Sequence, residues 1–284
     1  MSDHTLDLLE VALEAGAAIL DIYAKPFEVH EKTDGSPVTV ADAAAEAIIM
    51  DRLTKLFPEI PIVAEEAVSA GDLPSVADTY FLVDPLDGTK EFLKKNGEFT
   101  VNIALVVSGV PVFGIVYAPA LGDIYWGGLR EERNPLKSDK AGAFYARVEE
   151  GKLGGPKKIS VRTPDAGGLT VLASRSHLSE ETARLIDRLN VAETVSVGSS
   201  LKLCSIAAGK ADLYPRLAPT MQWDIAAGHA IVSAAGGVVV SAVTRQDLSY
   251  TIPEKAVASD LLNDHFLAFG DASERTSLLT ALEE

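Results

Sequence analysis

The sequence predicts an α+β fold for residues 1–166, followed by an α/β fold for residues 167–284. In the first part, apolar residues at helical spacing are followed by apolar runs that glycine and proline interrupt, as in antiparallel sheets. From Leu169 onward, short apolar runs alternate with helical segments, which is typical of α/β domains. A length of 284 residues and a hydrophobic share of 47% suffice for one large core or two ordinary ones.

Two helices are predicted at the N-terminal end. The first ends before Pro26, and its apolar residues follow a helical repeat: Leu6, Leu9, Leu13, Ala17 and Leu20. Residues 35–37, Gly-Ser-Pro, form a loop before the second helix, which is predicted at 40–57 because Pro58 prevents it from continuing.

Strands are predicted next. A short strand at 60–64 delivers Glu65 and Glu66 to a loop, and a buried strand at 80–83 ends at Asp84. Antiparallel strands joined by glycine and proline turns follow at 99–107, 112–118 and 124–127.

Residues 128–168 are rich in glycine, lysine and arginine and show little periodicity. Between Arg130 and Arg162, nine basic residues stand against five acidic ones, a surplus of +4 in an acidic chain. We interpret this segment as a solvated excursion with an extra hairpin. A second hypothesis is that it attracts an anionic substrate, which predicts a KM sensitive to these charges at low salt.

The second part of the chain reads as alternating strands and helices. Strands are predicted at 169–173, 193–197, 213–214, 237–241 and 266–269. Helices are predicted at 180–189, 201–208, 224–235 and at the C-terminus.

Composition excludes several function classes. The chain has 25 basic and 41 acidic residues, and its net charge of −16 opposes binding to nucleic acid or to anionic membranes. A single cysteine excludes an internal disulfide, and Cys204 is predicted to be a buried apolar residue. Neither a secretory signal nor a membrane-spanning run is visible, so a soluble cytoplasmic protein without an integral membrane segment is expected.

The hexapeptide Asp84-Pro85-Leu86-Asp87-Gly88-Thr89 is the most informative motif. It follows a predicted buried strand, so its two carboxylates converge at a strand end, where open α/β sheets bind ligands. Gly88 lets the backbone approach a ligand that a Cβ atom would obstruct. Two close carboxylates repel each other unless a cation lies between them. The alternative interpretation is a β-turn in which the aspartates cap backbone N–H groups.

Five acidic residues are predicted at the ends of elements: Asp42, Glu65, Asp84, Asp87 and Asp224. Two of them also have a structural interpretation, Asp224 as a helix N-cap and Asp42 as part of a capping box with Thr39. If the five meet, an all-oxygen site favours Mg²⁺ first and Mn²⁺ second, and argues against zinc. Such a site indicates transfer of a phosphoryl group to water. P-loop and dinucleotide-binding motifs are missing from the sequence.

These residues resemble the lithium-sensitive, magnesium-dependent phosphatases of the inositol monophosphatase superfamily. The resemblance covers nearly the whole chain and is carried by three motifs: Ala64-Glu65-Glu66, the hexapeptide, and Trp223-Asp224-Ile225-Ala226-Ala227-Gly228. It implies a layered αβαβα sandwich of two domains, in agreement with the α+β and α/β parts predicted above.

The resemblance also implies a role for each matched residue. Two or three Mg²⁺ ions would be held, with Mn²⁺ as a substitute and Li⁺ as an inhibitor, by Glu65, Asp84, the Leu86 carbonyl, Asp87 and Asp224. Asp42 and Thr89 would orient the attacking water, and Glu65 is counted with them as catalytic. The scissile phosphate would meet the N–H groups of Gly88 and Thr89, and in-line attack would proceed without a phosphoenzyme.

Within the superfamily, residues 34–42, 174–177, 198–204 and 213–216 look most like the bacterial 3′(2′),5′-bisphosphate nucleotidases. That resemblance implies hydrolysis of adenosine 3′,5′-bisphosphate to AMP and phosphate, in the recycling of this nucleotide during sulfur assimilation. The substrate-binding set is then Glu65, Leu86, Asp87, Gly88, Thr89, His177, Ser199, Lys202, Arg216 and Asp224.

Three of these residues carry the choice of nucleotide. Lys202 and Arg216 would hold the 5′-phosphate, with His177 near the nucleoside. The alternative is that Lys202 lies on the exposed face of its helix, and that Arg216 and His177 are structural loop residues.

Two rival functions follow from the same residues. The first is an inositol monophosphatase or fructose-1,6-bisphosphatase, and the second is a non-catalytic nucleotide-sensing protein. The sequence leaves open whether the protein is a monomer or a homodimer, and whether it also hydrolyses the sulfated nucleotide or inositol phosphates. Similar bacterial proteins lie peripherally on the cytoplasmic face of the inner membrane, which is a second possible location.

Overall fold

Two β-sheets alternate with layers of helices along the molecule. The computed structural model describes residues 4–27, 29–31, 37–129, 136, 141–173 and 179–282. Within these ranges, three clusters of buried apolar residues fill the spaces between successive layers. The layer order therefore follows from which face of each element is apolar.

The first helical layer consists of α1 (His4–Tyr23) and α2 (Val40–Leu56). Both helices agree with the prediction to within a few residues, and α1 buries Leu9, Ala12 and Ile19 in the first apolar cluster. A two-stranded ribbon joins them, formed by β1 (Val29–Glu31) and β2 (Pro37–Thr39).

The first sheet has eight strands in the order β10-β8-β7-β6-β5-β4-β3, with β9 paired to β8. The strands are β3 (Ile62–Ala64), β4 (Thr79–Asp87), β5 (Thr100–Val107), β6 (Val110–Ala118), β7 (Asp123–Gly128), β8 (Gly142–Glu149), β9 (Lys152–Leu153) and β10 (Lys157–Ile159). In the described part of this sheet, β3 and β4 are parallel and the other pairs are antiparallel. Because β5 is buried on both faces, its sequence is almost continuously apolar.

The basic segment contributes to this sheet. β8 pairs with β7 along six residues and buries Ala143, Ala146 and Val148, so this part is a sheet strand rather than a solvated excursion. The predicted extra hairpin is formed by β8 and β9. Residues 130–135 and 137–140, which carry four of the nine basic side chains, lie outside the described residues.

Two short helices follow β3 and β4. Glu65 begins α3 (Glu65–Ser69) directly after β3, so the predicted loop at this position is wrong. The second, α4 (Thr89–Leu93), begins after Gly88, whose φ of +90° favours glycine.

The C-terminal half contains four helices within the described residues. They are α5 (Glu180–Arg188), α6 (Leu201–Ala207), α7 (Gln222–Ala234) and α8 (Arg275–Ala281). Of these, α6 and α7 pack between the two sheets, and α7 approaches β6 closely. A Cβ atom on Gly114 would lie 2.2 Å from the carbonyl oxygen of Ala227, so glycine is required there.

The second sheet has five strands in the order β12-β11-β13-β15-β14. They are β11 (Leu169–Ala173), β12 (Val191–Ser196), β13 (Leu213–Arg216), β14 (Val238–Ser241) and β15 (Phe266–Phe269). On the outer face, α5 and α8 bury Leu185 and Leu278 against this sheet. Two 3₁₀ helices, Ala258–Leu261 and Ala272–Glu274, complete the described elements.

The sequence of layers is α1 and α2, first sheet, α6 and α7, second sheet, α5 and α8. This confirms the predicted αβαβα sandwich. The first sheet ends at Ile159 and the second begins at Leu169; a domain boundary between 166 and 167 stays a prediction. Cys204 is buried as predicted, and among the described helices none has the length and apolarity to cross a bilayer.

Candidate active site

Three aspartates meet where the first sheet and the middle helical layer come together. Asp84 and Asp87 belong to the last residues of β4, and Asp224 lies in the first turn of α7. One carboxylate oxygen from each lies within 4.8 Å of the others. Asp224 follows Asp87 by 224 − 87 = 137 positions in the sequence, and the fold brings both into one acidic cluster.

Electrostatics in this cluster oppose the ionised state. Burial raises the pKa of Asp84 well above its usual value, and the charges of Glu65, Asp87 and Asp224 raise it further. Burial and the charges of Asp87 and Glu65 likewise raise the pKa of Asp224. The charge of Arg216 lowers the pKa of Asp224 only in part, so within the described residues these carboxylates are incompletely neutralised, whereas a bound cation would neutralise them.

Glu65 reaches the cluster from the start of α3. Its carboxylate is close enough to Asp84 to hydrogen-bond with it. The start of α3 is held by Glu46 of α2, whose two carboxylate oxygens accept hydrogen bonds from the N–H groups of Glu66 (2.8 Å) and Ala67 (2.9 Å). An acidic acceptor suits the positive end of a helix.

The hexapeptide forms an irregular strand end. Pairing between β4 and β5 shifts register between Asp84 and Asp87, and the N–H of Leu86 donates to Asp84 Oδ1 at 3.0 Å. This irregularity brings both aspartates to one side of the strand end, although side chains alternate in a regular strand. Gly88 then turns the chain into α4 through its positive φ.

Asp42 lies at the start of α2 and is almost fully buried. Its Oδ2 accepts hydrogen bonds from the N–H and the hydroxyl of Thr39, both at 2.8 Å, which is the predicted capping box. Its Oδ1 faces the hydroxyl of Thr89 at 3.5 Å. Burial raises the pKa of Asp42, and the hydrogen bonds from Thr39 act in the opposite direction. The same carboxylate therefore serves the capping box and contacts Thr89.

A turn from the C-terminal half holds Asp87. The hydroxyl of Ser199 donates to Asp87 Oδ2 at 2.5 Å, and the N–H of Ser200 donates to the same oxygen at 2.8 Å. Ser199 has a φ of +52°, a conformation that non-glycine residues rarely adopt. Such local strain is typical of functional sites.

A pocket with a cavity volume of about 100 Å³ opens beside the cluster. Its lining includes Asp87, Gly88, Ser199, Lys202, Tyr214, Arg216 and Asp224. Acidic and basic side chains therefore share one cavity, which fits a ligand with an anionic group at one end.

Lys202 is buried, with 6% of its surface exposed, so the interpretation as an exposed helix residue is wrong. Its ammonium donates to the carbonyls of Ser199 (2.7 Å) and Val197 (3.2 Å). Burial lowers the pKa of Lys202 to about 8, against an opposing effect of Asp87. Arg216 donates one N–H to the Pro219 carbonyl at 3.0 Å, and its buried Nε has no hydrogen-bond partner among the described residues. Both cations thus retain capacity for an anion.

The structure brings together most of the residues singled out in the sequence. His177 lies outside the described residues. The sequence analysis missed Glu46, for which the signal was an acid on an alanine-rich helix. It named Ser199 for substrate binding but did not predict that Ser199 and Ser200 bind Asp87. An all-carboxylate donor set suits a hard cation such as Mg²⁺, Ca²⁺ or Mn²⁺.

Comparison with known proteins identifies the family. The model of the inositol monophosphatase family matches residues 3–268. This chain belongs to the inositol monophosphatase family. The family is metal-dependent, which agrees with the acidic cluster of Asp84, Asp87 and Asp224.

Within the inositol monophosphatase family, the chain is similar to curated proteins that are named 3′(2′),5′-bisphosphate nucleotidase CysQ. The chain is 46% identical over 232 residues to the 3′(2′),5′-bisphosphate nucleotidase CysQ of Salmonella typhimurium, covering 81% of the chain and 87% of that protein. It is 40% identical over 264 residues to CysQ of Buchnera aphidicola, covering 92% and 91%. The crystal structure of CysQ from Bacteroides thetaiotaomicron matches with a TM-score of 0.72 and 38% identity, covering 93% of the chain and 96% of that structure.

Proposed function

We propose that this protein is a 3′(2′),5′-bisphosphate nucleotidase that hydrolyses adenosine 3′,5′-bisphosphate to AMP and phosphate. The observation that carries the proposal is a single pocket in which Asp87 and Asp224 face the same space as Lys202 and Arg216. A substrate with two phosphates can place one at the acidic cluster, through bound cations, and the other at the two basic side chains. The names of the similar curated proteins support this substrate class.

The residues that hold the cations are proposed to be Glu65, Asp84, the Leu86 carbonyl, Asp87 and Asp224. Their oxygen donors suit Mg²⁺, with two or three ions and with Mn²⁺ as a substitute. Bound Mg²⁺ would lower the pKa of a water molecule and neutralise charge on the phosphate. Burial and mutual repulsion raise the pKa of Asp84 and of Asp224, and the charge of Arg216 offsets this only in part at Asp224, which supports the assignment of a bound cation that neutralises these carboxylates.

Asp42 and Thr89 are proposed to orient the attacking water. Asp42 Oδ2 is occupied by Thr39, which leaves Oδ1 to accept the proton of the Thr89 hydroxyl. The oxygen of Thr89 is then free to accept a hydrogen bond from water and so directs the water's lone pair toward phosphorus. The N–H groups of Gly88 and Thr89 are proposed to receive the scissile phosphate, next to the pocket wall that Gly88 forms.

The other end of the substrate is proposed to lie against Ser199, Lys202 and Arg216, with His177 near the nucleoside. Lys202 and the buried, unpartnered Nε of Arg216 supply donors for the 5′-phosphate. A monophosphate without this group loses these contacts. The proposal therefore predicts a higher KM for adenosine 3′-monophosphate than for the bisphosphate.

A substrate panel tests the proposal. Phosphate release is measured from adenosine 3′,5′-bisphosphate, its sulfated counterpart, inositol 1-phosphate and fructose 1,6-bisphosphate, with Mg²⁺, with Mn²⁺, with added Li⁺ and with excess chelator. We expect the highest kcat/KM for the bisphosphate nucleotide, dependence on Mg²⁺, and inhibition by Li⁺. A preference for inositol 1-phosphate would overturn the nucleotidase assignment. Tight nucleotide binding without turnover would indicate a sensing protein instead.

A further inference from the structure

Two polar residues interrupt the apolar strand β5 at the end nearest the acidic cluster. Thr100 and Asn102 are fully buried and lie on the same face as Ala104 and Val106, which pack toward the middle helical layer. Buried polar side chains are costly unless every polar atom is hydrogen-bonded. Neither residue lines the pocket beside the cluster.

Their hydrogen bonds lead to the serine turn. The Asn102 amide nitrogen donates to the hydroxyl oxygen of Ser200 at 2.9 Å. The Thr100 hydroxyl lies 2.9 Å from Asn102 Oδ1 and 2.6 Å from the Ser199 hydroxyl. Each serine hydroxyl in turn contacts Asp87 Oδ2. Thr100 and Asn102 are therefore each connected to Asp87 of the acidic cluster through one serine hydroxyl.

The hydroxyl of Ser200 has two acceptors on its other side. Asp87 Oδ2 lies at 3.0 Å and the backbone carbonyl of Asp224 at 2.6 Å. Both are acceptor-only oxygens, so the single proton of Ser200 goes to one of them, and its lone pair must accept the N–H of Asn102. Asn102 thus fixes the direction of a hydroxyl that touches two of the three clustered aspartates.

This arrangement also determines which oxygen of Asp87 remains available. Oδ2 is in contact with three donors from the turn: Ser199 Oγ, Ser200 N and Ser200 Oγ. Oδ1 is left as the oxygen open to a cation. The same turn anchors Lys202, whose ammonium binds the carbonyl of Ser199.

We infer that Asn102 is a positioning residue. By holding the Ser199-Ser200 turn against Asp87, it fixes the position of the acidic cluster relative to Lys202 in the pocket. The inferred effect on nucleotide binding rests on the proposed function. The inferred effect on cation binding rests on the acidic cluster alone. Outer hydrogen bonds of this type commonly change metal affinity by about 10- to 100-fold.

The test uses Asn102→Leu, which keeps the size of the side chain and removes both polar atoms. Binding of Mn²⁺ alone and of AMP alone is measured by titration calorimetry on the full chain. We expect both affinities to fall together, each by about 10-fold or more. In a double-mutant cycle, Ser200→Ala alone should lower Mn²⁺ affinity at least as much, because it also removes the hydroxyl contacts with Asp87 and Asp224. Adding Asn102→Leu to Ser200→Ala should then change Mn²⁺ affinity little further, because the contact between Asn102 and the Ser200 hydroxyl is already lost.

The matched control is Val106→Ala, a buried residue on the same face of β5 that loses packing only. It should lower the melting temperature and leave both affinities within about twofold. If Asn102→Leu does not fold, Thr100→Val takes its place, and the same joint loss is expected. Unchanged Mn²⁺ affinity in the folded variant would overturn the inference. Failure of the wild type to hydrolyse the bisphosphate would overturn the proposed function, while the Mn²⁺ result would still decide the role of Asn102.

Discussion

The Asp87 carboxylate contacts both the Ser199-Ser200 turn and the other two carboxylates of the acidic cluster. Oδ2 is bound by the serine turn, and one carboxylate oxygen joins Asp84 and Asp224 in the cluster. A residue placed this way cannot be replaced by another acid of different length without disturbing both sides. Its shape and its charge can nevertheless be separated experimentally.

Asp87→Asn keeps the shape and removes the charge. We expect phosphate release to fall on the order of 100-fold or more, because bound cations supply several kcal/mol of transition-state stabilisation. The far-ultraviolet circular dichroism spectrum should be unchanged. Activity close to that of the wild type would contradict the assigned role of Asp87. Asp78→Asn, on an acidic residue outside the cluster, serves as the control for loss of one negative charge.

The lowered pKa of Lys202 predicts that nucleotide binding depends on pH. Burial lowers the pKa of Lys202 to about 8, so the ammonium is charged below that pH and neutral above it. We expect the KM for adenosine 3′,5′-bisphosphate to rise as pH increases through about 8, by roughly 10- to 100-fold, because a charged hydrogen bond to the 5′-phosphate is lost. The KM for adenosine 3′-monophosphate, which lacks that phosphate, is the control and should stay level. Parallel profiles for the two substrates would place the 5′-phosphate elsewhere.

At the scale of elements, three of the proposed site acids are positioned by the start of a helix. The helices α2, α3 and α7 each begin within two residues of one of them, namely Asp42, Glu65 and Asp224. The start of α3 is held by Glu46, which lies six residues after Val40, the first residue of α2. The carboxylate of Glu46, a residue of α2, therefore also binds the first turn of α3.

Glu46→Gln should loosen this contact. One carboxylate oxygen becomes an amide group that faces backbone N–H donors, so we expect a loss of about 1–2 kcal/mol in the free energy of unfolding. Because Glu65 then has a less fixed position, Mn²⁺ affinity should fall about tenfold. Chemical denaturation and Mn²⁺ titration measure the two effects. The control is Glu59→Gln, on an exposed acid. A loss of stability with unchanged Mn²⁺ affinity would reduce Glu46 to a structural role.

At the scale of the whole molecule, an ion pair joins the segment after the first sheet to the second sheet. Arg162 donates to both carboxylate oxygens of Asp212 at 2.8 Å, and the N–H of Thr170 donates to Asp212 Oδ2 at 2.7 Å. Burial by itself would raise the pKa of Asp212, but these hydrogen bonds outweigh it and the pKa is lowered. The pair therefore stabilises the fold when Asp212 is ionised.

Asp212→Asn should reduce the free energy of unfolding by about 2 kcal/mol at neutral pH. A lowered pKa in the folded state means that the stabilisation is present above the unfolded pKa of about 3.9 and is lost as pH falls through the folded value. The difference between wild type and variant should accordingly shrink below pH ~4. Urea denaturation at several pH values measures it. A difference that stays constant down to pH 3 would contradict the ionic explanation.

Much of the architecture could be predicted because local patterns agree with the final fold. The boundaries of α2 follow from Thr39 before the helix and Pro58 after it, and the observed helix ends within two residues of this prediction. Asp224 could be placed because its helix is apolar and begins after a loop. The five-layer order came from the family resemblance, whereas the pattern of elements predicted only the α+β and α/β parts.

What could not be predicted depends on contacts between distant residues. Glu46 acts on backbone groups 20 and 21 residues away, and no local pattern shows that α3 lies there. Asn102 breaks an apolar strand, but its partner Ser200 lies 98 residues later. The register shift in β4 likewise depends on pairing with β5. Sequence patterns describe neighbours along the chain, whereas these contacts exist only after the layers have packed.

The position of Asp224 in the C-terminal half means that the acidic cluster is complete only after most of the chain has been synthesised. A ribosome completes the hexapeptide long before it reaches Asp224, because Asp224 follows Asp87 by 137 residues. A nascent chain ending before α7 has β4 with its two aspartates but lacks both the third carboxylate and the helix that covers the sheet. We therefore expect a chain truncated before Trp223 to lack the three-carboxylate cluster and with it phosphatase activity.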